Sequence, residues 1–255
     1  MLIDPNSANH QLRSVPAFTP FTWLVRGWDD FCAAPFASGF YGAAFAAMGW
    51  ALIALYDFAY QYVTTLVGAF LLAAPFLATG LYALSRDREA GRRPRFLASL
   101  VAWRDNLGGL GIYVLVVTVI FLVWARASLV SFALFSTGAM PDLKGFLGKA
   151  FSLGNIEFVL VYLAAGALFA SLVFAVSVVS VPMLLDRGND AVSAAILSFQ
   201  VLAKNLGTMA VWAALIVLLT GFGLATAFMG LVVTMPLVGH ATWHAYRDCV
   251  AWGES

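Results

Sequence analysis

Six stretches of predominantly apolar residues divide the chain, separated by short polar or charged segments. Most offer the roughly 20 residues that a helix needs to cross a bilayer, and the fifth is shorter. They run over residues 38–56, 60–84, 108–126, 155–185 and 206–220, and the sixth continues to Val250 after a tight turn expected at Gly221-Phe222-Gly223 or slightly later. The third has an apolar extension reaching Phe135, expected to be tilted or interfacial. Three shorter segments confine their apolar residues to one helical face. In 18–32, Phe21, Leu24, Val25, Trp28 and Cys32 share a stripe, and Arg26, Asp29 and Asp30 lie off it. In 96–107, Phe96, Leu97, Leu100 and Val101 oppose Arg104, Asp105 and Asn106. In the last, Val192, Ala195, Ile196, Phe199 and Leu202 recur at helical spacing. Such helices lie in the membrane interface, which predicts Trp23 and Trp28 at headgroup depth. Leu143, Phe146, Leu147, Ala150 and Phe151 predict a small surface helix inside the longest connection, 136–154.

The pattern therefore predicts an all-α polytopic membrane protein: six transmembrane helices in three hairpins, each hairpin preceded by a short interfacial helix. Residues 1–17 read as a disordered or extended tail, 18–250 as one membrane domain and 251–255 as a second tail. The second helix of each hairpin carries a proline, Pro75, Pro182 or Pro236, expected to kink it. The residues after two of these echo each other. PFLATGLYALSRD and PLVGHATWHAYRD both place an aromatic seven positions after the proline (Tyr82, Trp243) and Arg-Asp at eleven and twelve (Arg86-Asp87, Arg247-Asp248). SVPMLLDRG is a weaker version, and NLG recurs at Asn106 and Asn205. The echo suggests three internal repeats, 18–87, 94–187 and 190–248, with the proline helices inside and equivalent faces turned to a common interior.

Polar residues on these helices also fall on stripes. With Pro236 taken as zero on a helix of about 100° per residue, Trp243, Arg247, His240 and His244 all lie within about 80° of it. Gln61, Thr64, Thr79, Tyr82 and Arg86 form a comparable stripe on the second span, and Glu157 and Ser171 are the candidates on the fourth. Lipid exposure of such residues is costly, so they should face protein or water. They read either as a polar path between spans 2, 4 and 6 or as groups that satisfy one another in a packed bundle. His240 should bond to a neighbouring helix near Tyr82 or Arg86, in a cluster with Tyr246, Arg247 and Asp248, and His244 should be wetter. On the first span, Gly39, Ala43, Ala47 and Ala51 make a small-residue ridge that lets another helix approach closely.

Composition supports the membrane reading. Of 255 residues 62% are hydrophobic and 11% charged, against about 25% charged in soluble domains. A net charge of +1 gives no basis for nucleic-acid binding. The first 35 residues contain no apolar signal core, so insertion is expected through the first span. Of the 14 Lys and Arg residues, 11 fall on the side of the termini and three (Arg126, Lys144, Lys149) on the other. That asymmetry predicts both termini in the cytoplasm.

Recognisable chemistry is sparse. His240 and His244 lie four residues apart, the spacing of two ligands to one metal, but His-Ala-Thr-Trp-His lacks the glutamate of the zinc-peptidase motif. A haem or metal at His240/His244 is thus the minor alternative to no cofactor. No phosphate loop, dinucleotide fingerprint or nucleophile elbow occurs, and Cys32 and Cys249 form no framework, which predicts a non-enzyme. At GHATWHAYRD (239–248), with the NLG element and six spans, the chain resembles over residues 15–250 a proteobacterial family of predicted integral membrane proteins of unknown function. Some members are labelled as cytochrome c oxidase subunits. The resemblance implies a bacterial inner-membrane location and no established activity. Two functions stay open: a non-catalytic accessory or assembly partner of another membrane complex, respiratory if the oxidase label carries weight, or a small-solute transporter or channel. Expected contacts are the lipid bilayer and a membrane-protein partner or a second copy of the chain.

Overall fold

A computed structural model describes residues 10–59, 63–135 and 156–252. The chain is an all-α membrane protein. Its helices are α1 (Thr19–Ala33), α2 (Pro35–Ala59), α3 (Val63–Glu89), α4 (Phe96–Ser99), a 3-10 turn (Ala102–Asn106), α5 (Leu107–Phe135), α6 (Ile156–Ser177), α7 (Ser180–Arg187), α8 (Ala191–Lys204), α9 (Leu206–Ala225) and α10 (Leu231–Cys249). By length and composition, four stretches are apolar enough to cross a membrane: Pro35–Leu55, Phe96–Ser131, Ile156–Arg187 and Leu206–Ala225. The proline-bearing α3 and α10 are not in that set. Each ends in a run of charged residues, Arg86 to Glu89 in α3 and Arg247-Asp248 in α10. The surface helix expected within 136–154 lies outside the described residues.

The starts of the helices follow from local chemistry. Pro20 lies in the first turn of α1 and Pro35 opens α2, where a missing N–H leaves no helical bond unmade. Asp190 caps α8 by accepting the Ser193 N–H at 2.9 Å. Asn106 and Asn205 act alike before α5 and α9. The Asn106 amide donates to the carbonyls of Leu184 and Asn189, and that of Asn205 to the carbonyl of Arg13. The recurrent asparagine thus ties each junction to a distant segment.

The chain divides into two compact units, 1–114 with 175–255, and 115–174. In the first, α10 is the central helix: α1, α2, α3, α7 and α9 all pack against it. Close approach is possible because the contact positions are glycine. A Cβ on Gly27 of α1 would sit 2.9 Å from the Ala241 nitrogen, and one on Gly42 of α2 would overlap the Val232 carbonyl. Val232 is four residues before Pro236, so its carbonyl has no helical N–H to accept. It lies against the Gly42 backbone instead. The small-residue ridge Gly39, Ala43, Ala47 and Ala51 is not this contact. Ala43, Ala47 and Ala51 are exposed, and a Cβ on Gly39 would meet nothing within 4 Å. The second unit comprises the remainder of α5 and the first part of α6. Val117 and Phe158 are buried there, and Phe121 packs near Trp124, while most of its apolar side chains are exposed, as suits contact with lipid.

Two expectations are corrected, those for the fourth span and for Trp23, and two open ones are made definite. The fourth span is not one kinked helix. It breaks between α6 and α7, because Pro182 can neither donate to the Val178 carbonyl nor avoid it sterically. Ser198 of α8 accepts the freed Val179 N–H at 3.3 Å. The turn between α9 and α10 falls at Thr226–Gly230, the slightly later of the two expected places, with Ala227 and Phe228 at positive φ (52° and 68°). Gly223 is needed for packing, since a Cβ there would lie 2.9 Å from the Thr234 hydroxyl and overlap Leu231. Thr226 ties the turn by accepting the Gly230 N–H, and Trp50 donates to the Ala227 carbonyl at 2.8 Å. Of the N-terminal segment, expected to be disordered or extended, the described part is extended: β1 (His10–Leu12) pairs antiparallel with β2 (Val250–Trp252). Trp23 is fully buried, edge-on to Trp212 at 5.7 Å, and only Trp28 projects outward.

The glycine contacts predict unequal effects on α2. Gly42→Ala should cost about 1–3 kcal/mol through overpacking against backbone. Gly39→Ala should be neutral or stabilising by about 0.5–1 kcal/mol, because it removes only glycine's helical penalty. Thermal unfolding of the two purified variants checks this, and equal effects would refute the assignment of the contact face.

Candidate functional site

The polar residues collect where α1, the start of α2, the end of α3, α7 and the second half of α10 converge. Asp30 is the innermost carboxylate. It lies on the face of α1 that also buries Pro20, Trp23 and Gly27, packed against α10. Its Oδ2 accepts from the Ser85 hydroxyl at 2.6 Å and the His244 Nε2 at 2.9 Å, and its Oδ1 from Arg88 at 2.8 Å. Burial alone would raise the pKa of this carboxyl. The His244 and Ser85 hydrogen bonds, with the attraction of the histidines, outweigh that and hold it below the ordinary carboxylate value. A depressed folded pKa gives stability that is fully present above the unfolded pKa and lost as pH falls through the lower, folded one. The pairing is therefore intact at neutral pH.

His240 continues the chain of bonds. It is 0% exposed, with Nδ1 2.8 Å from the Ser85 hydroxyl and Nε2 2.9 Å from that of Ser38. Donor counting fixes the roles. Ser85 gives its only proton to the ionised Asp30, so Nδ1–H of His240 donates to Ser85. The neutral Nε2 then accepts from Ser38. The sequence Ser38–His240–Ser85–Asp30 has the connectivity of a base-activated hydroxyl. Ser38 and Ser85 are also 0% exposed, so no substrate atom reaches either oxygen.

A second cluster joins α3, α7 and α10. Glu89 accepts from the Trp243 indole at 2.8 Å and from Arg247 Nε at 2.9 Å. Asp186 accepts from the Tyr246 hydroxyl at 2.8 Å and lies 3.7 Å from the Arg247 guanidinium. The Trp252 indole donates to Tyr246, and Arg187 stacks over the Trp252 ring at 4.8 Å. On the other side of α10, Asp248 accepts from the Trp23 indole at 2.8 Å and pairs with Arg26. Arg86 donates to the Leu185 carbonyl at 3.1 Å and lies 3.7 Å from Asp105.

Of the sequence-derived candidates, Thr79, Tyr82, Arg86, His240, Trp243, His244, Arg247 and Asp248 all belong to this convergence. Thr79 is buried and donates to the Phe76 carbonyl, and Tyr82 is buried. Pro75, Pro182 and Pro236 are buried. Glu157 and Ser171 are corrections: both are exposed and lie in the unit 115–174. Each can be accommodated locally, Glu157 in the favourable first turn of α6 and Ser171 by bonding back to its own helix. Gln61 and the side chain of Thr64 lie outside the described residues. The histidine's partners were expected near Tyr82 or Arg86; they are Ser85, between those two, and Ser38. Sequence reasoning missed Asp30, Ser38, Ser85, Arg88 and Glu89. Asp30 had one signal, its place on the stripe Trp23–Gly27–Asp30 opposite the apolar face. Among the described residues no three His, Cys, Asp and Glu side chains are arranged to hold a metal ion.

His240→Ala strands two buried hydroxyls, whereas His244→Ala leaves Asp30 with Ser85 and Arg88. His240→Ala should therefore cost more, by about 1–3 kcal/mol for the unsatisfied groups. His240→Gln, which keeps a donor and an acceptor, should recover part of the loss. Melting temperatures of the three variants in one detergent test this, and a larger loss in His244→Ala would reverse it.

Residues 62–186 match the sequence profile of a family described as "Predicted integral membrane protein (DUF2189)". The matched stretch holds α3, the arginine-rich loop, the first NLG element and Pro182; the GHATWHAYRD segment lies beyond it. No curated protein and no solved structure matches the chain. Residues 62–186, just under half of the chain, are thus similar to the DUF2189 family of predicted integral membrane proteins, a family of unknown function.

Proposed function

We propose that this protein is a non-catalytic component of the bacterial inner membrane that packs against another membrane complex as an accessory or assembly partner. The observation that carries this reading is the outward face of α2. Ala43, Ala47 and Ala51 are exposed beside Gly39, a surface onto which a helix of another protein can pack at short range. The interior gives complementary support. Asp30, Glu89, Asp186 and Asp248 all hold donors of the same chain, so the polar residues between α3, α7 and α10 act as a clasp rather than as a path for solute. No enzymatic role is assigned, because the two hydroxyls that meet His240, those of Ser38 and Ser85, are both sealed from solvent. No haem or metal is assigned, because both nitrogens of His240 and Nε2 of His244 already have partners. A respiratory complex is the partner class suggested by the oxidase label on similar proteins.

Purification in mild detergent from the native membrane, followed by mass spectrometry, tests the proposal. A stoichiometric membrane-protein partner should co-purify with the wild type and be lost from Ala43→Leu/Ala47→Leu, whose melting temperature should be unchanged. Solute uptake by liposomes containing the chain alone, with no partner recovered, would favour the transporter reading instead. The charge asymmetry supports a topology with both termini in the cytoplasm. Alkaline phosphatase fused after residue 255 should be inactive and fused within 136–154 active; the reverse pattern would invert the topology.

A further inference from the structure

Each interfacial segment turns apolar side chains outward: Phe21, Val25 and Trp28 on α1, Leu97 and Val101 around α4, and Val192, Ile196 and Phe199 on α8. They differ in what their cations do. Arg26 of α1 is held by Asp248, and Lys204 of α8 donates to the Leu12 carbonyl at 2.9 Å. Before the middle segment, Arg88 is bound to Asp30 and Arg92 to Asp87. Arg93, Arg95 and Arg104 remain. All three are exposed, and among the described residues none has a carboxylate within ion-pair distance. Arg104 lies over the Trp103 ring at 5.1 Å, which orients its guanidinium while leaving its N–H groups available.

The backbone carrying these arginines is held firmly. Phe96 packs between Phe36 at 5.4 Å and Phe40 at 5.0 Å, Ser99 is 2.9 Å from the Tyr41 hydroxyl, and Trp103 meets Phe76 edge-on at 5.7 Å. With Phe96 turned inward, Leu97 is 76% exposed. An unpaired basic group at the membrane surface beside outward apolar side chains matches one chemistry, a lipid with a negatively charged headgroup. Arginine also suits it geometrically, since its planar fork takes two phosphate oxygens at once.

We propose that the surface formed by residues 93–104 binds anionic phospholipid, with Arg93, Arg95 and Arg104 on the headgroup phosphate and the acyl chains over Leu97 and Val101. The full chain, purified in neutral detergent, is mixed with phosphatidylglycerol or phosphatidylcholine, and bound lipid is counted by native mass spectrometry. The wild type should retain phosphatidylglycerol at least tenfold more tightly, with roughly fivefold lost per arginine removed. Arg93→Gln/Arg95→Gln/Arg104→Gln should abolish the preference, while Arg126→Gln, a loss of charge in the other unit, should not. The corresponding triple lysine variant should keep most of it. Unchanged melting of the glutamine variant in phosphatidylcholine separates lost binding from lost folding; if that variant unfolds, the three single glutamine variants carry the test. Equal retention of the two lipids by the wild type, a preference that survives the glutamine substitutions, or displacement of the lipid by millimolar inorganic phosphate would overturn the proposal.

Discussion

A carboxylate removed from water must be compensated, and Asp30 is the carboxylate around which this unit closes. An unpaired buried charge would cost several kcal/mol or shift toward its neutral form. Asp30 avoids both outcomes through three donors on two helices: Ser85 and Arg88 of α3 and His244 of α10. Its own helix, α1, is thereby fixed to both. Because Ser85 also receives His240, and His240 bonds to Ser38, the start of α2 joins the same chain of hydrogen bonds. Four helices are tied by one acid and its partners. Removing His240 or Ser85 leaves buried groups that the apolar surroundings cannot satisfy, which is why such networks specify one arrangement strongly.

Around this centre the remaining charges tie the ends of the proline helices to other segments. Arg86 of α3 reaches Leu185 of α7 and Asp105 of the 3-10 turn; Asp186 of α7 takes Tyr246 of α10; Asp248 of α10 takes Trp23 and Arg26 of α1. The Arg-Asp pairs visible in the sequence thus mark places where chain segments far apart in sequence are joined. The β1–β2 ribbon and the bonds from Arg13 and Val15 to Asn205 add the N-terminal segment to the same end of the unit.

Membrane character and helix order were legible because bilayer-spanning helices need long apolar runs, and composition and periodicity report those directly. His240, Trp243 and Arg247 were legible as interior because lipid exposure is costly for them. Asp30, Ser85 and Arg88 were not. Within a short amphipathic helix an aspartate off the apolar stripe reads as facing water, and only the packing of α10 against that face converts it to a buried group. Serines on apolar helices carry little information, since they can bond to their own backbone. Glu157 and Ser171 were misplaced for the converse reason. Polarity alone assigned them to the interior, although a helix N-terminus and a backbone carbonyl can each accommodate such a residue locally.

Pro182 and Pro236 have different consequences, and the difference lies in what receives the freed carbonyl and the adjoining N–H. Pro182 is met by a break at Val178–Val179, with Ser198 of α8 supplying the missing acceptor for the Val179 N–H. Pro236 lies inside continuous α10. The carbonyl it leaves free, Val232, is turned onto α2 at Gly42, where the absence of a side chain lets backbone meet backbone. Weak Cα–H···O contacts recur at helix interfaces of this kind. The proline on one helix and the glycine on the other are therefore one device. Pro236 provides an exposed carbonyl edge, and Gly42 brings a helix close enough to cover it. Changing either alone leaves the other in a structure it no longer fits: a side chain at Gly42 would push α2 away and leave the Val232 carbonyl without cover. The position of Gly42 was readable as one small residue among many on α2. Its necessity follows only from the proline that faces it.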